Sequence, residues 1–238
     1  MDITRIEKLI GYSFKAPALL ERALTHRSWA YEKHGANSDA AVNAADNESL
    51  EFLGDSVLGL AVADHLFAKN PEMKEGDLTV MKHHIVSAVR LTAAAERLEI
   101  GNFLRVGRGE EKTGGRRKAA VLADTVEAVL GAIFLDGGYF AAKAAVGRIF
   151  AEDFRTVTPR SSVDYKSLLQ ETLQADKLSA PVYKLLRSEG QPHERQYFVE
   201  VKWNSGSAAG TGTSIKAAEM MAASEALRKI KERNPKKQ

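Results

Sequence analysis

Residues 120–136, AVLADTVEAVLGAIFLD, place apolar side chains around almost the whole circumference of a helix, yet they include Asp124 and Glu127. A helix of that composition belongs in a core. An ionised carboxylate is tolerated there only when a partner compensates its lost hydration. No Lys or Arg lies within one helical turn of either residue, so a divalent cation is the natural partner. A second segment, NESLEFLGDSVLGL, has a two-sided pattern. At about 100° per residue, Glu48, Glu51 and Asp55 fall within roughly 60° of one helix face, while Leu50, Leu53, Val57 and Leu60 gather on the other. A Glu-x-x-Glu pair by itself is commonly a solvated face. The second acidic set changes the balance, because the small residues Ala128 and Gly131 beside it permit close helix approach and let the two sets converge. An all-oxygen site favours Mg²⁺ or Mn²⁺ over zinc.

The remaining composition narrows the function classes. The chain has 238 residues, 44% hydrophobic and 27% charged, which suits one large or two smaller globular domains. No apolar run approaches a membrane span, and Met1–Arg5 lacks a basic segment followed by an apolar stretch, so a cytoplasmic location without membrane partners is expected. With no cysteine, disulfides, thiolate metal sites and cysteine nucleophiles are excluded. The six histidines show no ligand spacing; His83 and His84 are adjacent and point different ways. Net charge is only +3, but it is unevenly spread. Arg105, Arg108, Lys112, Arg116, Arg117 and Lys118 crowd a glycine-rich stretch that leads into the Asp124 helix, and could bring cations and backbone N–H groups against phosphates. The basic C-terminal end reads equally well as solvated surface or as nonspecific attraction for RNA.

Periodicity predicts helices throughout residues 1–155: Ile3–Ile10, Ala16–Ala23, Leu50–Lys69, Gly76–Leu98, Lys118–Asp136 and Phe140–Val157. Residues 33–47 read as a polar loop, with Asp46 or Asn47 as N-cap of the helix that follows. Residues 156–163, containing Pro159, Ser161 and Ser162, read as a flexible linker. From Asp164 the pattern becomes helix (Tyr165–Ala175), strands (Val182–Leu186, Tyr197–Trp203, Ser207–Gly212) and helix (Ser214–Glu232), an α-β-β-β-α order over residues 164–233 ahead of a basic tail at 234–238.

These residues carry a resemblance. Asn47–Ser56 resembles the signature motif of the bacterial ribonuclease III family, and Asp124-Thr125-Val126-Glu127 its second acidic motif; Ala23–Ser28, Glu75-Gly76-Asp77 and Gly107–Arg116 resemble further family motifs in the same order. The fold implied is an all-α catalytic domain (ribonuclease III endonuclease fold) followed by a small α+β domain of the double-stranded-RNA-binding type. The activity implied is hydrolysis of phosphodiester bonds in double-stranded RNA, leaving 5′-phosphate and 3′-hydroxyl ends. Precursors of rRNA and other structured transcripts are the substrates implied. Glu51, Asp55, Asp124 and Glu127 match the Mg²⁺-binding carboxylates, with Asp55 and Glu127 as catalytic residues and Mn²⁺ as a possible substitute metal. Glu48 and Glu75 match two further acidic positions near the cleavage site. Phe52 lies on the helical projection beside the acidic arc, pointing away from its own core, and matches a residue that packs into a partner subunit. A homodimer with no organic cofactor is therefore implied.

In the second domain, Asp164–Glu171 and Ala217–Ala223 resemble the double-stranded-RNA-binding motif. Such domains read the shape of A-form RNA across two minor grooves. Gln170, Glu171 and Gln174 would meet one groove, His193 the next, and Lys216 the phosphates between. The family usually places two consecutive lysines at the last position; here the pair is Ile215-Lys216, which removes part of the phosphate contact. A noncatalytic RNA-binding scaffold is the competing reading, and a degenerate relative of that kind would be expected to have lost at least one carboxylate.

Overall fold

Helical periodicity governs the first part of the computed structural model, which describes residues 3–35, 38–191 and 194–233. Residues up to Ser162 form one compact unit and those from Val163 another. In the first unit the helices are α1 Ile3–Ile10, α2 Pro17–Ala23, α3 Arg27–His34, α4 Asp39–Ala45, α5 Glu48–Lys69, α6 Glu75–Ile85, α7 Ala88–Arg97, α8 Arg108–Lys112, α9 Ala119–Ile149, α10 Ala151–Thr156 and α11 Pro159–Ser162. Single 3₁₀ turns occupy Ile100–Asn102 and Gly115–Arg117.

The centre of this unit is the crossing of α5 and α9. Leu50, Val57, Leu58, Val62 and Leu66 on α5 and Val126, Val129, Leu130 and Ile133 on α9 belong to one buried cluster. Burying each such side chain stabilises the unit by roughly 1.5–3 kcal/mol. Two glycines set how close the helices come: Gly54 lies against the main chain of Glu127, and Gly131 against the carbonyl of Leu50. α9 is interrupted where a break was expected, between Asp136 and Phe140: Gly138 has a non-helical backbone, with a φ of +77° that suits glycine.

Several expectations need correction. The 33–47 stretch is not a loop throughout: α3 reaches His34, and α4 forms over Asp39–Ala45 because Val42 is buried and its alanine neighbours are strong helix formers. The single helix expected over Gly76–Leu98 is two, broken at Val86 and Ser87, where the Ser87 hydroxyl donates to the His84 carbonyl at 2.8 Å and the Ser87 backbone turns extended. The expected linker includes the short helix α11. Asn47 holds the N-cap position of α5 without a side-chain cap; the Asp46 carboxylate accepts the Glu48 N–H instead, at 3.3 Å. Leu60, expected in the core, is 58% exposed because it sits at the margin of the apolar arc, where no other helix among the described residues covers it. An isolated parallel bridge pairs Thr25 with Arg105 in a region with no strand signal.

The second unit contains α12 Tyr165–Ala175, β1 Val182–Glu189, β2 Gln196–Trp203, β3 Gly206–Gly212 and α13 Ile215–Arg233. Asp164 caps α12 by accepting from the Lys166 and Ser167 N–H groups at 3.2 Å each. The strands form an antiparallel meander in the order β1-β2-β3, with a register shift between Leu185 and Arg187. Leu169, Leu173, Val199, Val201, Trp203, Ala218 and Ala222 build its core. Gly210 and Gly212 bring β3 against the α13 backbone. Among the described residues, no helix is long and apolar enough to cross a membrane.

Candidate active site

The close α5/α9 crossing places three carboxylates together. Oxygens of Glu51, Asp124 and Glu127 lie within 4.8 Å of one another, each on a half-buried side chain. Burial first, then the charges of Asp55, Glu51 and Asp124, push the Glu127 carboxyl up to about 7. Glu51 is raised by burial and then by Asp124, Glu48 and Asp55. Asp124 is raised by burial, opposed by the nearby His26. Asp55 is exposed, and its field reaches both Glu51 and Glu127. Crowded acids with elevated proton affinity would be stabilised in their charged form by a cation. The donor set fits a hard divalent ion.

Glu48 and Glu75, like Asp55, lie outside that group of three. Glu48 is exposed and pairs with Arg27 at 2.7 Å; the same guanidinium nitrogen reaches the buried Asp46 at 2.8 Å and the Asn43 side chain at 2.9 Å. Glu75 opens α6, is exposed, and accepts from the Thr79 hydroxyl at 2.8 Å. Arg27 and His26 were not singled out by sequence reasoning. Their only signal was their place inside the Ala23–Ser28 motif, which carried no assigned chemistry.

The basic stretch divides in two. Arg105 pairs with Glu21 at 3.0 Å, Arg116 with Glu111 at 2.5 Å and Lys118 with Glu110 at 2.7 Å. Arg116 also donates to the Leu104 carbonyl. These cations hold the segment itself. Arg108, Lys112 and Arg117 have no acidic partner among the described residues and face solvent.

On the second unit, Gln170, Glu171 and Gln174 are exposed on α12, opposite the buried Leu169 and Leu173. Lys216 is exposed in the first turn of α13, next to Ile215, which is 44% exposed. The Ser214 hydroxyl accepts the Ala217 N–H at 3.1 Å, capping that helix. His193 lies outside the described residues.

A helical unit with carboxylates converging from two crossing helices, followed by an α-β-β-β-α unit, matches two known domain families. Residues 16–153 match the Ribonuclease-III-like family and residues 165–230 the double-stranded RNA binding motif. The chain belongs to the ribonuclease III family. Among its relatives, Ribonuclease 3 of Nitratidesulfovibrio vulgaris is 44% identical over 227 residues, covering 94% of this chain and 87% of the relative. Ribonuclease 3 of Streptomyces coelicolor is 43% identical over 230 residues, covering 96% and 80%. The crystal structure of the nuclease domain of ribonuclease III from Campylobacter jejuni is similar to the first unit, with a TM-score of 0.57 and 35% identity, covering 66% of this chain and 98% of that one. A second structure of that domain describes flexibility in a region involved in its dimer formation.

Proposed function

We propose that this chain is a Mg²⁺-dependent endoribonuclease that cuts double-stranded RNA to 5′-phosphate and 3′-hydroxyl ends and acts as a cytoplasmic homodimer. The observation that carries the reading is the convergence of Glu51, Asp124 and Glu127 within 4.8 Å on the α5/α9 crossing, in a chain whose second unit matches a double-stranded RNA binding motif. Glu51, Asp124 and Glu127, with Asp55 beside them, would hold the metal. When bound, such an ion supplies an activated water and charge neutralisation for in-line attack on a phosphodiester. The chain's own part is to crowd these carboxylates into one place, where a bound cation would offset the burial and repulsion that raise their proton affinity, with Asp55 and Glu127 nearest the reaction. Glu48 and Glu75 flank the cleavage region, and Arg108, Lys112 and Arg117 offer cations to the duplex backbone. Gln170, Glu171, Gln174, His193 and Lys216 supply groove and phosphate contacts.

The dimer reading rests on α5. Phe52 is 79% exposed, Leu60 58% and Phe67 66%, and on a helical projection they share one stripe roughly 80° wide. Three large apolar side chains on one stripe are a feature of a contact surface. Purified protein incubated with a long duplex RNA in Mg²⁺ should give short duplex products with 5′-phosphate ends, and none in EDTA. Intact duplex in Mg²⁺ would leave the noncatalytic scaffold as the better reading.

A further inference from the structure

We propose that Ser28, His26 and Glu32 form a positioning latch that fixes the 105–113 segment, and with it the unpaired Arg108 and Lys112, in register with the carboxylate site. This rests on the reading of the chain as a duplex-RNA nuclease. The latch is built from consecutive contacts. The His26 N–H donates to the Arg105 carbonyl at 2.9 Å, and the Arg105 N–H to the Leu24 carbonyl at 2.8 Å. The Gly107 N–H donates to the Ser28 hydroxyl oxygen at 2.9 Å. That hydroxyl lies 2.8 Å from His26 Nδ1, which also accepts the Ser28 N–H at 3.2 Å. With Nδ1 an acceptor, the His26 proton sits on Nε2, and the Ser28 hydroxyl accepts from Gly107 while donating to His26. One residue further, the Arg108 N–H donates to Glu32 Oε1 at 2.6 Å.

The fit leaves no slack. A Cβ on Gly107 would stand 2.6 Å from Glu32 Oε1 and 2.7 Å from the Ser28 carbonyl, so only glycine lets the segment approach α3 this closely. The far end is also tied, since Lys118 binds Glu110 at 2.7 Å and the Thr113 hydroxyl at 3.0 Å. Three adjacent residues then face three parts of the site. His26 lies near Asp124 and Glu110, Arg27 binds Glu48, and Ser28 binds Gly107. Cations on a segment held in this way meet a phosphate backbone without first being ordered, which is the physical value of preorganisation.

The test uses the full-length chain with Ser28→Ala, its conservative counterpart Ser28→Thr, and the charge variant Arg108→Gln/Lys112→Gln. Glu32→Ala, at an exposed position, breaks the second anchor should Ser28→Ala fold poorly. On duplex RNA in Mg²⁺, Ser28→Ala should raise KM about five- to tenfold, the effect of losing roughly one hydrogen bond. kcat should stay within about twofold, and Ser28→Thr should restore KM. Adding Ser28→Ala to the charge variant should change KM no further, because the latch acts through those two cations. An additive loss, or a fall in kcat at unchanged KM, would overturn the proposal. Amide exchange of the free protein supplies a readout independent of RNA: the Gly107 and Arg108 amides should exchange at least about tenfold faster in Ser28→Ala, following the lost hydrogen bond. Unchanged exchange would sink the latch. If the wild-type chain leaves duplex RNA intact while exchange responds as stated, it is the nuclease reading that fails and not the latch.

Discussion

Gly54 on α5 lies against the main chain of Glu127 on α9, so closely that a Cβ at Gly54 would overlap the Glu127 carbonyl. The same contact that closes the core therefore sets the spacing of Glu51 from Glu127. Gly54→Ala should force the helices apart at a cost of about 1–3 kcal/mol, lowering the melting temperature by several degrees and weakening Mn²⁺ binding as measured by calorimetry. A variant with wild-type melting and metal binding would show that the two helices do not need this contact.

Glu127 gives a pH signature. Its carboxyl is raised from 4.5 to about 7 in the folded chain, so folding favours the protonated form. The sign follows: its favourable contribution is complete below the unfolded value and is lost as pH rises through about 7. In metal-free protein above that pH, Glu127→Gln should melt a few degrees higher than wild type, with the gain vanishing toward pH 4.5. Cleavage should fall by more than about a hundredfold, the loss already typical of removing a metal's outer-sphere partner, while duplex binding in Ca²⁺ persists. Wild-type metal affinity should rise as pH passes through about 7, above which the proton no longer competes. Parallel loss of RNA binding in a gel shift would contradict the assignment.

Phe52 protrudes from α5, largely uncovered by the described residues. Phe52→Ala should weaken self-association at least about tenfold, as expected for an aromatic anchor, and reduce activity without removing a metal ligand. Sedimentation velocity provides the check; a wild-type monomer, or a variant dimer of unchanged affinity, would remove the basis for the interface.

If the proposed function holds, the division into units ending at Ser162 and starting at Val163 should separate chemistry from most of the RNA affinity. A chain lacking residues 163–238 should remain helical and cleave duplex RNA at low salt. Its defect should widen as salt rises, because Lys216 and the rest of the second unit no longer add phosphate contacts. A folded truncation inactive even at low salt and high enzyme concentration would place part of the active site in the second unit.

Much of this was legible in the chain itself. The apolar circumference around Asp124 and Glu127 announced a buried helix, since burying so much hydrocarbon leaves a helix no other stable place. Alternation over Val182–Leu186 and Tyr197–Trp203 announced the sheet. Ala128 and Gly131 hinted that two helices meet closely. Local breaks were less visible: Ser87 ends one helix and starts another through a hydrogen bond to the carbonyl of His84, and hydrophobic periodicity passes through such a break with little change.

What the sequence determined by itself was the type and placement of the elements, because helix and strand periods are properties of neighbouring residues. It also determined which residues carry charge into apolar surroundings. Tertiary structure decided how those charges are shared. Of six candidate acids, Glu51, Asp124 and Glu127 converge, whereas Glu48 is held by Arg27. Of the six cations in the basic stretch, Arg105, Arg116 and Lys118 are spent on Glu21, Glu111 and Glu110. The Ser28 contact with Gly107 joins residues 79 positions apart. Such pairings depend on distances of a few ångströms between segments remote in sequence, and those distances exist only after the apolar faces have packed.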